Sequence, residues 1–439
     1  MNPRKAAADI VYNVTKKNYT LNSGVERCRD DESLSALDVR FVSELTSGTV
    51  RRLEYIDYLI KNSSDIKINK ISPYVLSVLR TGAYQIVFMD RIPNSAAVNE
   101  SVKLIKKSAN SRLSGYVNAV LRNIEKNWHN VKLPDDETEA LSVKYSFPKW
   151  IVKRWCTRFG DEAEPLLAAM NQKPKTIIRT NTLRITPQKL LDMLVDDGWD
   201  CKKYESGLFP ELDCLISASK IDELVKSEAY QKGYFYVQDA AAAYASHVLN
   251  PQKDSVVIDM CASPGGKTTH LAQIMNNTGK IFAFDIYDGK IDKINENAAR
   301  LGITNITALK RDSAVFNSEF KDKADCILAD VPCSGLGIIR RKPDIKYLRD
   351  EGDIAELSSL GLKILNNAAR YLKSGGKMLF STCTTEYEEN ENTLFEFLKE
   401  NPEFHLKKIL CSRDNQGYLT LLPHRDNCDG FFISLLEKE

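Results

Sequence analysis

Apolar residues recur at intervals of three and four through the first 130 positions. Ala7, Ile10, Val11 and Val14 form one stripe, Phe41, Val42 and Leu45 a second, and Val75, Val78 and Leu79 a third. That spacing places side chains on one face of a helix. Ser72 ahead of Pro73 reads as an N-cap followed by proline at the first helical position. Pro93–Asn94–Ser95 opens a further helix through Val98, Val102 and Ile105, and Gly115 separates it from Tyr116, Val117, Val120, Leu121 and Ile124. No alternating segment interrupts the run, so residues 1–130 are expected to form an all-α bundle of five to seven helices.

The texture then changes. Residues 131–140, VKLPDDETEA, are acidic and poor in apolar residues, which predicts a linker. A helical connector follows up to 175, with Trp150, Ile151, Trp155 and Phe159 on one side. TIIRTNTLRI reads as a strand, TPQKLLDMLVDDG as a capped helix and GYFYVQD as another strand, giving a small α+β module over 176–240. Over 241–439, five apolar runs each end at a polar residue: VVIDM, KIFAFDI, ITALKRD, DCILADV and KMLFSTC. Helical stretches at 289–301 and 354–372 lie between some of them. This is the pattern of an α/β Rossmann-like fold, a doubly wound and mainly parallel sheet that binds ligands at the carboxyl ends of its strands.

Composition narrows the class. Of 439 residues, 43% are hydrophobic and 27% charged, which excludes fibrous and wholly disordered chains. No apolar run is long enough to span a bilayer, and the first residues, MNPRKAAADIVYNVTKK, lack the apolar core of a signal peptide. A cytosolic protein with no membrane partner is expected, and a monomer. The ten cysteines are spread along the chain without a CxxC pair and the five histidines are scattered, so neither a disulfide framework nor a metal site is expected. Charge is uneven: residues 1–130 hold 20 Lys and Arg against 13 Asp and Glu, while the chain as a whole has a net charge of only +2. A basic region beside a neutral or acidic one suits a polyanion-binding domain next to a catalytic one, and equally a solvated basic face.

The sharpest local motif is VVIDMCASPGGKTTHLAQIM at 256–275. A strand ends near Met260, residues 261–267 turn, and a helix begins near Thr268. Gly265 and Gly266 let backbone approach a ligand, and the helix N-terminus offers unpaired N–H groups to an anion. A phosphate-binding GxxxxGK[ST] loop fails on spacing, because its first glycine would fall at Cys261. Asp285 lies 20 residues beyond Gly265, the offset at which a carboxylate takes ribose hydroxyls in a Rossmann-like unit. Asp312 and Asp330 end the next two strands. One strand-end aspartate is commonly a turn former, whereas three around one crevice suit a cationic nucleoside cofactor. With GxGxxG absent, the reading is S-adenosylmethionine, held by Cys261, Ala262, Ser263, Pro264, Gly265, Gly266 and Lys267 together with Asp285, Asp312 and Asp330.

Cys333 follows the fourth of these strands in DVPCSG, and Cys383 follows the fifth in STCTTEYEEN. If those strands are neighbours, both thiols can face one cleft. With DMCASPGGKT, ADVPCSG and STCTTEYEEN on one chain, the sequence resembles the RNA cytosine-C5 methyltransferases. The first 130 residues resemble a NusB-like RNA-binding domain in RIPNSAAVNESVKLIKK and GYVNAVLRN, and PHRDNCDGFFIS resembles the family's closing motif. The resemblance covers almost the whole chain, with Ser263 standing where the family commonly has alanine.

The resemblance implies that Cys383 is the nucleophile and that Cys333 assists breakdown of the adduct and product release. The chemistry gives these thiols a reason: C5 of cytosine is a poor nucleophile until a thiolate adds at C6. DNA cytosine methyltransferases use the Pro-Cys thiol instead, so a Thr-Cys thiol points to RNA. Asp330 is expected to contact the cofactor or the target base, and the basic run RRKPDIK at 340–346, directly after Cys333, suits contact with RNA phosphate, the alternative being a solvated loop. The NusB-like domain favours one cytosine of small-subunit (16S) ribosomal RNA as target. Transfer RNA or large-subunit RNA remains the alternative substrate. A non-catalytic RNA-binding assembly factor is the alternative class, and the intact cysteine pair and cofactor loop argue against it.

Overall fold

Seven α-helices fill the described residues up to 127: Pro3–Lys17, Leu21–Arg29, Ala36–Arg51, Leu53–Ser63, Pro73–Phe88, Asn94–Lys106 and Ser114–Asn127. They come from a computed structural model that describes residues 2–17 and 19–439. Pro73–Phe88 is buried on nearly every side, from Val75 through Val87, as a helix at the centre of a bundle must be. Ser35 and Asp38 form a reciprocal capping box on the third helix. Ser72 stands at the expected cap position ahead of Pro73, but its side chain makes no capping hydrogen bond.

Two boundaries differ from the sequence reading. Gly115 lies inside the helix Ser114–Asn127, and the break falls at 107–113 instead. There Ser108 Oγ donates to the Ile105 carbonyl at 2.8 Å and accepts from the Asn110 amide at 3.1 Å. Short polar side chains thus compete with the helix for its backbone groups. The acidic stretch read as a linker over 131–140 is irregular only up to Asp136, whose carboxylate accepts from the Glu139 amide at 2.7 Å and starts the helix Glu137–Tyr145. Helices Lys149–Phe159 and Ala163–Met170 follow, with Ile151 and Trp155 buried while Trp150 and Phe159 stay partly exposed.

The chain forms two compact units, one of residues 1–172 with 339–350, the other of 173–338 with 351–439. Residues 339–350 therefore pack with the helices, and the 340–346 run is not a wholly solvated loop, although Lys342 stays exposed. Arg340 and Lys346 are buried. Lys346 Nζ donates to the Arg51 carbonyl at 2.9 Å and lies 4.4 Å from the centre of the Phe147 ring. Asp344 accepts from the Leu21 amide at 3.0 Å.

The second unit opens with a four-stranded antiparallel sheet of β1 (Thr176–Thr180), β2 (Cys201–Lys203), β3 (Leu215–Ala218) and β4 (Phe235–Val237), in the order β2-β3-β1-β4. The helix Pro187–Asp196, capped by Thr186, buries Leu190 and Leu194. Next come β5 (Val256–Asp259), β6 (Lys280–Asp285), β7 (Ile306–Lys310), β8 (Ala324–Asp330), β9 (Leu372–Thr382), β10 (Phe404–Leu406), β11 (Tyr418–Leu421) and β12 (Phe431–Lys438). Their order is β10-β12-β9-β8-β5-β6-β7, with β11 on β12. The five strands β5 to β9 are parallel, and β12 adds antiparallel to β9. Chain order runs outward from β5 in both directions, so the switch point lies at the carboxyl ends of β5 and β8, where such sheets bind ligands.

Candidate active site

The turn after β5 has two glycines for two different reasons. Gly265 has φ +96°, a left-handed conformation that strains any residue with a Cβ. Gly266 begins the helix Gly266–Ile274, and a Cβ there would stand 3.0 Å from Cε1 of Tyr236. An aromatic ring from β4 therefore lies on the backbone of the turn. Beside it is a cavity of about 210 Å³ lined by Cys261, Ala262, Ser263, Pro264, Gly266, Lys267 and Asp330, and also by Tyr236, Gln238, Asp239 and Asp259.

Charge in this cavity is organised in pairs. Lys267 Nζ lies 2.6 Å from Asp330, whose other oxygen accepts from Ser381 Oγ at 2.7 Å. Burial alone would pull the lysine down, but Asp330 and Cys383 outweigh it and hold its pKa above the ordinary value. Asp259 accepts from Thr268 Oγ1 at 2.7 Å and from the Cys261 amide at 3.3 Å, and burial pushes its pKa up to about 7.

The other two strand-end aspartates stand apart from the cavity lining. Asp285 ends β6, is 7% exposed, and has Lys290 at 3.5 Å. Asp312 lies two residues past β7, is exposed, and accepts from the Ala314 amide at 2.9 Å. Four residues that sequence reasoning missed, Tyr236, Gln238, Asp239 and Asp259, are in the lining. The signal was present: GYFYVQD also ends polar, and Asp239 caps the helix Ala240–Leu249.

The two cysteines meet. β8 and β9 are parallel neighbours with Asp330 opposite Ser381, so the loops that follow them run side by side. Cys333 Sγ and Cys383 Sγ are 3.3 Å apart, and the Cys383 amide donates to Cys333 Sγ at 3.3 Å. Glu389 holds the first loop, accepting from the Ser334 amide at 2.6 Å and from Ser334 Oγ at 2.5 Å. Gly337 N–H donates to the Cys383 carbonyl at 3.0 Å and ties the loops again. The hydrogen bond to Cys383, followed by burial, raises the Cys333 thiol well above its ordinary range, so Cys333 keeps its proton. By contrast Cys201, Cys214 and Cys326 are pushed up to about 11 by burial and lie away from this pair.

Three family models match the chain. Residues 1–126 match the NusB family, 147–210 the ferredoxin-like domain of RsmF/B-like methyltransferases, and 246–437 the 16S rRNA methyltransferase RsmB/F model. A probable ribosomal RNA small subunit methyltransferase B of Bacillus subtilis is 32% identical, covering 99% of this chain and 97% of its own. Its counterpart in Synechocystis is 33% identical over 99% of both chains. The chain belongs to the RsmB/F methyltransferase family. Among solved structures, PH0851 aligns with a TM-score of 0.83 at 28% identity, covering 100% of this chain and 99% of its own. A methyltransferase homologue from Pyrococcus horikoshii aligns at 0.61 with 26% identity, covering 70% of this chain and all of its own.

As an RsmB/F methyltransferase, the chain has the expected NusB-type helical domain ahead of a Rossmann-like domain, and its cofactor is S-adenosylmethionine. The residues present fit that group. The Gly266 backbone lies bare against the Tyr236 ring at the edge of the cavity, where a Cβ would crowd the site, and Gln238 has a buried amide nitrogen without a partner beside it. Among the described residues no helix is long and apolar enough to cross a membrane, and no cluster of His, Cys, Asp or Glu could hold a metal ion.

Proposed function

We propose that the chain methylates C5 of a cytosine in small-subunit ribosomal RNA, with Cys383 as nucleophile and Cys333 as the group that completes turnover. The observation that carries this reading is the pair of thiols 3.3 Å apart, next to the Lys267–Asp330 ion pair. The relatives named for small-subunit ribosomal RNA support the substrate.

The bound cofactor supplies a methyl group on a sulfonium. Cys383 Sγ, ionised, forms a bond to C6 of the base, and the ring electrons shift to make C5 enamine-like. The cofactor, held by the turn 261–267, would supply the methyl group to C5 and leave as the neutral thioether. The C5 proton then leaves, and its electron pair re-forms the C5–C6 double bond while Cys383 departs as thiolate. Cys333 is suited to accept that proton. We assign Cys333 that role through its 3.3 Å contact with Cys383: bonding of Cys383 to carbon removes the contact that holds the Cys333 proton, which then passes to solvent. Asp330 is proposed to accept from the exocyclic amine of cytosine, which uracil lacks. The exposed basic residues Lys106, Lys107 and Arg112 are proposed to meet RNA phosphate.

Incubating the protein with undermethylated 16S ribosomal RNA and methyl-labelled cofactor, then digesting the RNA to nucleosides, tests this. Label in 5-methylcytidine is expected. Label confined to another nucleoside, or to the ribose, would contradict it.

A further inference from the structure

Arg179 on β1 is fully buried, and among the described residues no carboxylate pairs with it. Its Nη1 donates to the Gly266 carbonyl at 2.7 Å and to Gln238 Oε1, and its Nη2 to Thr269 Oγ1 at 3.0 Å. The guanidinium lies 5.4 Å from the centre of the Tyr236 ring, and its Nε has no partner. A guanidinium only donates, so it fixes the orientation of the Gln238 amide: the oxygen faces Arg179 and the nitrogen faces away. That nitrogen is buried without a partner on a side chain that is 6% exposed and lines the cavity beside Gly266 and Lys267.

A buried cation without a counter-ion and an unsatisfied donor are both costly, and both stand at the N-terminal end of the helix Gly266–Ile274. All three features favour an anionic acceptor. The other cation in the cavity, Lys267, is already paired with Asp330.

We infer that Gln238 Nε2, oriented by Arg179, receives the carboxylate of the amino-acid part of the methyl donor, making Gln238 a determinant of cofactor specificity and Arg179 a positioning residue. The inference rests on S-adenosylmethionine binding in this cavity. It gives the small sheet a share in the cofactor site: β1 supplies the cation and the residue after β4 the donor.

The test uses full-length protein and calorimetry with two ligands, S-adenosylmethionine and its decarboxylated form. Gln238→Ala should lose about tenfold in affinity for the first, the order of one charge-assisted hydrogen bond, and nothing for the second. Gln238→Glu gives Arg179 a counter-ion, so the fold is kept while the ligand carboxylate is repelled; it should reverse the preference between the two ligands. Equal losses for both ligands in Gln238→Ala would overturn the inference. So would unchanged cofactor affinity with a raised KM for RNA, which would place Gln238 against the target base. Failure of the parent protein to bind either ligand would overturn the cofactor reading, and this inference with it.

Discussion

Asp259 ends β5 with Thr268 Oγ1 and the Cys261 amide as donors, and burial still lifts its pKa to about 7. The folded state therefore holds a proton on it that the unfolded chain releases near 3.8. Ionising a carboxyl whose folded pKa is raised costs stability as pH climbs through that window, and the cost is complete above about 7. Asp259→Asn removes the titration, so without cofactor its melting temperature relative to the parent should improve from pH 4 to pH 7 and then level off. A difference independent of pH would contradict the buried-carboxyl account. At this scale the turn 261–267 at the cavity and the meeting of Cys333 with Cys383 follow from short, distinctive motifs in the sequence. Tyr236 and Gln238 were not legible as lining residues, since only the packing of β4 against the turn after β5 brings them to the cavity, whereas Asp259 lies in β5 itself and was within reach of the motif. Asp312 accepts from the Ala314 amide in its own turn and lies outside the cavity lining.

Among the elements, the helices and the five parallel strands follow from periodicity, whereas their ends follow from side-chain competition for backbone groups, as at Ser108 and Asp136. β12 was not read as a strand: FFISLLEK does not alternate, since six successive residues are buried between β9 on one side and β10 and β11 on the other. The burial of Lys346 within the basic run 340–346 is not legible, because nothing local says that this lysine is enclosed. The contact between β4 and the cofactor turn can be tested directly. Gly266→Ala should weaken cofactor binding by about 1–2 kcal/mol, the cost of pressing a methyl group into a packed contact, and Tyr236→Leu in the same chain should restore part of the loss. Independent, additive losses would mean that the ring does not set the shape of the turn.

For the whole molecule, the basic bias of residues 1–130 was legible as charge but not as a binding face, because composition does not say which side chains stay in solvent. Some do not: Arg80 is buried against Asp57, while Lys106, Lys107 and Arg112 are exposed. Replacing those three by alanine should weaken RNA binding and lower the slope of log affinity against log salt by about 0.7–0.9 for each phosphate that is no longer neutralised. An unchanged slope would make the charge a solvated face. The central claim concerns the division of labour between the two thiols, and one denaturing gel of full-length protein with 16S ribosomal RNA and S-adenosylmethionine reads it. Cys333→Ala keeps the nucleophile but lacks the base for breakdown, so it should accumulate a covalent protein–RNA band. Cys383→Ala should bind RNA and give neither band nor product. A band trapped in Cys383→Ala and absent in Cys333→Ala would contradict the account.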